Sequence, residues 1–169
     1  MRYLLPILPI ALLLTGCAGT ATLHTPHFLH QVPAGTLLAL ERPLHFKAGT
    51  IRVYLQDGQP YHSHGFFGYS GINRYRVHCM LELRHKPSTD FTLSARDYRL
   101  DAVRWETTYL MADTSEFRTE WRLSGGGEPQ AYTFTCSKAD NAAFESHLTL
   151  EEIDHAVGDY FRLKHGKPL

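Results

Sequence analysis

The stretch RYRVHCMLELR, residues 74 to 84, constrains the fold more than any other part of the chain. Tyr75, Val77, Cys79, Leu81 and Leu83 fall on one side of an extended backbone. Arg74, Arg76, His78, Glu82 and Arg84 fall on the other, and Met80 alone breaks the polar row. A period of two over this length describes an antiparallel strand with one face on a core and the other toward water. Shorter segments repeat the pattern. TLLALERPL (36 to 44) reads as a strand that Pro43 ends or places at a sheet edge. TIRVYLQ (50 to 56) alternates and runs into the turn signal Asp57-Gly58. FTLSA (91 to 95), YRLDAVRWETTYLM (98 to 111), FRTEWRL (117 to 123) and AYTFTC (131 to 136) follow, the second of these long enough to need a bend.

Near the C-terminus the period changes. Thr149 followed three residues later by Glu152 is a capping box, which makes Thr149 the expected N-cap of a helix. Leu150, Ile153, Val157 and Phe161 then form one apolar stripe, and Gly158 within it marks a close contact with the sheet. About seven short strands and one C-terminal α-helix predict a mainly β fold, an antiparallel β-sandwich or an open barrel.

The N-terminus carries a different signal. Arg2 precedes an apolar run from Tyr3 to Leu14, interrupted by Pro6 and Pro9, and small residues follow. This is the layout of a secretory signal peptide and is too short for a permanent membrane span. Leu14-Thr15-Gly16-Cys17 resembles the lipobox of bacterial lipoproteins. The resemblance implies cleavage before Cys17 and acylation there, so that the membrane becomes a partner through the lipid. Ala18, rather than aspartate, implies the outer membrane, facing the periplasm. The expected organisation is a signal peptide over 1–16, a lipidated tether over 17–33 and one β-rich domain over 34–169. The stretches AGTIRVYLQDG, YRVHCMLEL and LTLEEI also resemble small proteobacterial lipoproteins, a likeness that carries no catalytic residue over.

With Cys17 given to lipid, Cys79 and Cys136 remain, and in the oxidising periplasm an even remainder reads as a disulfide. Both lie in the apolar row of their strands, the parity a bridge inside a core requires. The rival reading is two buried free thiols. Seventeen basic residues balance seventeen acidic ones, so no basic excess exists to neutralise a phosphate backbone and nucleic acid is not an expected partner.

Eleven histidines raise the question of metal. His24, His27 and His30 recur every third residue, His62 and His64 share a face if locally extended, and His78 projects from the polar row of its strand. Imidazole suits zinc, copper or nickel, so His62, His64 and His78 form the metal-binding alternative. No carboxylate or cysteine stands beside them at ligand spacing, and solvated histidines explain the same pattern. Ser70 in GYSG is the candidate nucleophile of a weaker hydrolase alternative, one residue short of a nucleophile elbow. The loop from 61 to 75 gathers Tyr61, Phe66, Phe67, Tyr69 and Tyr75 among glycines, which suits a recognition surface; the same rings can fold back over the core. No catalytic constellation or cofactor motif emerges. The expectation is a non-enzymatic binding or assembly module that engages another envelope protein.

Overall fold

The computed structural model describes residues 27–62, 71–111, 113–127, 131–141 and 147–164. The expected signal peptide and lipobox with Cys17, His24, and the segment holding His64, Phe66, Phe67, Tyr69 and Ser70 lie outside these. The described residues form ten strands: β1 (Leu37–Leu40), β2 (Leu44–Phe46), β3 (Arg52–Gln56), β4 (Gln59–His62), β5 (His78–Leu83), β6 (Phe91–Leu93), β7 (Arg96–Met111), β8 (Thr114–Ser124), β9 (Ala131–Asn141) and β10 (Phe161–Lys164). A single helix, α1 (Leu150–Val157), lies between the last two.

Eight strands make one antiparallel sheet in the order β10-β1-β7-β8-β9-β5-β3-β4, curled into a half-barrel, and β2 pairs with β6 in a small second sheet. The fold is therefore mainly β, and of the two expected architectures it takes the open-barrel form. The period-two residues explain the curl. Val53, Leu55, Cys79, Leu81, Phe134, Cys136, Trp121, Tyr98 and Leu100 all project to one face and are buried. Ile153, Ala156 and Val157 of α1 bury against that face. The helix contacts β3 and β5 on one side and β10 at the far edge, and Phe134 of β9 meets Phe161 of β10 at 4.9 Å between ring centroids. The core thus lies in the hollow of the half-barrel with α1 laid across it.

Cys79 and Cys136 stand directly opposite each other on β5 and β9, with their sulfurs at bonding distance, 2.12 Å. The bend expected in the long strand comes from irregularities in the β7–β8 ladder between Leu100 and Ala102 and between Tyr109 and Met111. The capping box forms: the Thr149 hydroxyl accepts from the Glu152 backbone N–H at 3.2 Å, and Glu152 accepts from the Thr149 N–H at 2.9 Å.

Three expectations need correction. The helix does not reach Phe161. It ends at Gly158, whose positive φ of 54° reverses the chain, and Phe161 opens β10 opposite Leu40. The domain begins before residue 34, the boundary expected with the tether, because Leu29 and Val32 are buried in the core and Phe28 bridges to Thr149. The polar row of β5 is not solvated throughout: His78 is only 3% exposed, since strands flank β5 on both sides and its ring is engaged by the Arg76 carbonyl and Ser137.

Candidate functional site

The register decides whether the proposed metal ligands converge. His62 stands opposite Val53, whose side chain is in the core, so His62 projects to the inner face of the sheet. His78 stands opposite Ser137, one position out of phase with the core cysteines' row, and projects to the outer face. The two are separated by the sheet itself, and the trio His62, His64 and His78 loses its geometric basis. His62 instead packs its ring edge-on against His45, 6.1 Å between centroids, and His45 lies 3.7 Å from Asp90. Among the described residues no group of three or more histidine, cysteine or acidic side chains is placed to hold a metal ion.

His78 has another arrangement that the sequence did not disclose. Its Nδ1 is 3.1 Å from the Arg76 carbonyl and its Nε2 is 3.1 Å from Ser137 Oγ. A carbonyl only accepts, so Nδ1 carries the proton and Ser137 donates to Nε2. This is the distance of a serine–base pair. The surroundings do not complete a nucleophilic site, however. Ser137 lies mid-strand with β8 and β5 on either side of β9, so its backbone N–H belongs to the sheet ladder rather than to an oxyanion hole. The pair is a satisfied cross-strand contact lining a hollow of about 120 Å³.

Burial holds the His78 imidazole below its ordinary pKa, against the opposing pull of the Arg76 carbonyl and Glu116, with Arg74 adding to the lowering. His30 is lowered too, by burial and then by His147. Both groups take up their proton less readily folded than unfolded. Stability is therefore complete above the unfolded histidine pKa of about 6.5 and declines as the pH falls below it. Thermal melts between pH 8 and pH 5 should show this decline, with His78 contributing at most about 1.4 kcal/mol per pH unit. His78→Gln should flatten the profile, and an unchanged slope would contradict the assignment.

A cleft of about 520 Å³ opens between α1 and the end of the core face, and Tyr75 stands at it with Lys138, Glu152 and His155. Several of its charges are paired with one another. Lys138 is bonded to Glu152 at 2.8 Å, and Asp57 pairs with Arg76 at 2.6 Å and lies 3.5 Å from His155. Burial works against ionisation of Glu152, but Lys138 and the Thr149 contacts outweigh it and hold the carboxyl below its ordinary value. Of the expected recognition residues, Tyr75 is 65% exposed at this cleft, whereas Tyr61 is half-buried beside Gly71.

The residues that most resemble an interaction surface are on β7. Trp105, Tyr109 and Met111 are 55%, 65% and 69% exposed, and with Tyr75 they are the large apolar side chains left open among the described residues. Trp105 is held in place by two histidines: His30 and His147 lie 5.8 and 5.4 Å from its ring, and 4.6 Å from each other. On the opposite face of the same strand Arg104 and Glu106 are 3.6 Å apart, and Glu106 also lies 3.6 Å from Arg118 of β8. Sequence reasoning singled out none of Trp105, Tyr109 and Met111, because their strand reads as one more half-buried strand. No protein-family model, no curated protein and no solved structure matches this chain.

Proposed function

We propose that the chain is a lipid-anchored protein of the bacterial cell envelope that serves as a non-enzymatic binding or assembly module. Cys17 supplies the anchor, on the strength of the Leu14–Cys17 lipobox, with the outer membrane and the periplasm as its setting. A cysteine pair at bonding distance agrees with an oxidising compartment. The observation that carries the binding role is the row Trp105, Tyr109 and Met111, apolar surface left open along one strand. Rigid aromatics on a sheet supply contact area with little loss of rotamer freedom.

In vivo photo-crosslinking tests this. A photoreactive amino acid at Met111 should give a discrete cross-linked protein product in the envelope fraction. The same probe at Arg99, an exposed position nearer the β1 pairing, should give none. No product from Met111, or the same product from both positions, would contradict the binding role.

A further inference from the structure

Resting on the anchor at Cys17 in the reading above, we propose that the exposed face at Trp105 seats against the lipid bilayer itself, at the level of the headgroups. The place where the chain enters the domain argues for it. The described residues begin at His27, and the Phe28 ring stacks on that of His30 at 5.7 Å between centroids. His30 in turn lies 5.8 Å from Trp105. His27 is ten residues on from Cys17, and a chain of that length spans at most about 35 Å however it runs. An acylated Cys17 therefore keeps the Trp105 side of the domain beside the bilayer. A face tethered this closely meets its target at an effective concentration of about millimolar, so an area too small to bind membrane by itself suffices.

The face also has the chemistry of a membrane interface. The β7–β8 register puts Trp105, Thr107 and Tyr109 on the inner face, with Thr119, Phe117 and Ser115 opposite them. None of the six carries a charge, whereas Arg104, Glu106, Arg118 and Glu120 all stand on the outer face. The inner side of the hairpin can thus leave water without stripping an ion of its hydration. Trp105 and Tyr109 are 55% and 65% exposed. Tryptophan and tyrosine are the side chains that settle at headgroup level, with an apolar ring inward and a polar edge toward water. Burial and then His147 hold His30 below its ordinary pKa, so at neutral pH its ring adds no charge beside Trp105. The other exposed aromatic among the described residues, Tyr75, does not offer this, because Asp57, Arg76, Lys138 and Glu151 line the same cleft. Met111 lies six residues beyond Trp105, about 20 Å along an extended strand, and stays available to a protein.

The test is tryptophan fluorescence of the lipidated chain, purified from membranes and reconstituted into vesicles of phosphatidylethanolamine and phosphatidylglycerol. Bromine on the acyl chains of these lipids quenches tryptophan on contact. The chain has two tryptophans, and Trp121 is fully buried, so it serves as the unquenched reference. Brominated lipid should remove most of the Trp105 emission, and Trp105→Phe should abolish the quenching. High salt should leave it unchanged, since no charge takes part. Trp105→Phe combined with Thr108→Trp moves the ring to an exposed position opposite Glu116 on the outer face, where no quenching is expected. Thermal melts confirm that each variant is folded. Equal quenching at 105 and 108 would mean a domain that tumbles against the bilayer, and none at 105 a domain held off it; either overturns the proposal. Flotation tells apart the ways of failing. A chain that does not float with the vesicles lacks the anchor, and the seating falls with it. A chain that floats while Trp105 stays unquenched ends the seating alone and leaves the anchor and the binding role standing.

Discussion

Replacing Cys79 and Cys136 together by alanine is expected to cost about 4 kcal/mol of folding stability. The cysteines are 57 residues apart in sequence, and the bridge removes the freedom of a chain loop of that length from the unfolded ensemble. The enclosed loop contains β6 and the β7–β8 hairpin, and the bond itself holds β5 against β9 at the ladder pair Cys79–Cys136. Urea unfolding of the double variant against the parent measures the difference, and treating the parent with reductant should reproduce most of it. A loss below about 1 kcal/mol would mean that the two sulfurs do not constrain the unfolded chain.

Gly158→Ala is expected to destabilise by about 2 to 4 kcal/mol, from two causes that can be separated. A Cβ at Gly158 would lie 2.7 Å from Gly58 Cα, a contact that neither backbone can relieve cheaply, and the φ of 54° disfavours any side chain. Gly58 is pinned in turn, because its N–H donates to the Ala156 carbonyl at 3.0 Å. The β3–β4 turn and the end of α1 therefore fit together only through two glycines. Gly35 supplies the comparison. Its φ is 90°, but a Cβ there would meet nothing within 4 Å. Gly35→Ala should show the backbone strain alone, about 1 kcal/mol or a little more, and the excess at Gly158 measures the clash. Equal losses at the two positions would show that the contact with Gly58 is not what limits Gly158.

These two glycines also mark how far the fold is legible in the sequence. Alternation located β3, β5, β7, β8 and β9, because burying one face of a strand leaves a period-two trace whatever the strand's neighbours. It placed both cysteines in core rows, and the register then set them opposite each other. The same rule failed where elements are short. β10 has four residues, and Phe161 falls on the helical stripe of Leu150, Ile153 and Val157 by spacing alone. Only the chain reversal at Gly158 separates the two, and it depends on a contact 100 residues away in sequence.

The site was less legible than the fold, and for a physical reason. His78 belongs to a strand whose residue parity the sequence gives, whereas His62, expected in a loop, ends β4, and the face each meets is fixed only once β3 joins β4 to β5. His78 and Ser137 are 59 residues apart and meet through register. His30 and His147 meet because the residues before β1 return to the start of α1, where Phe28 bridges Thr149. That no described strand pairs with β7 beyond Leu100 on the side of β1 is a property of strand order, since β1 is short and β7 is long, and no local pattern records it.

The proposed anchored, extracytoplasmic character of the molecule is tested most directly by intact-mass analysis of the chain isolated from bacterial membranes. The expected mass is that of a chain beginning at Cys17, carrying acyl groups there, with Cys79 and Cys136 oxidised and inaccessible to a thiol reagent. A chain that retains residues 1–16, lacks acyl groups or exposes two free thiols on unfolding without reductant would contradict it.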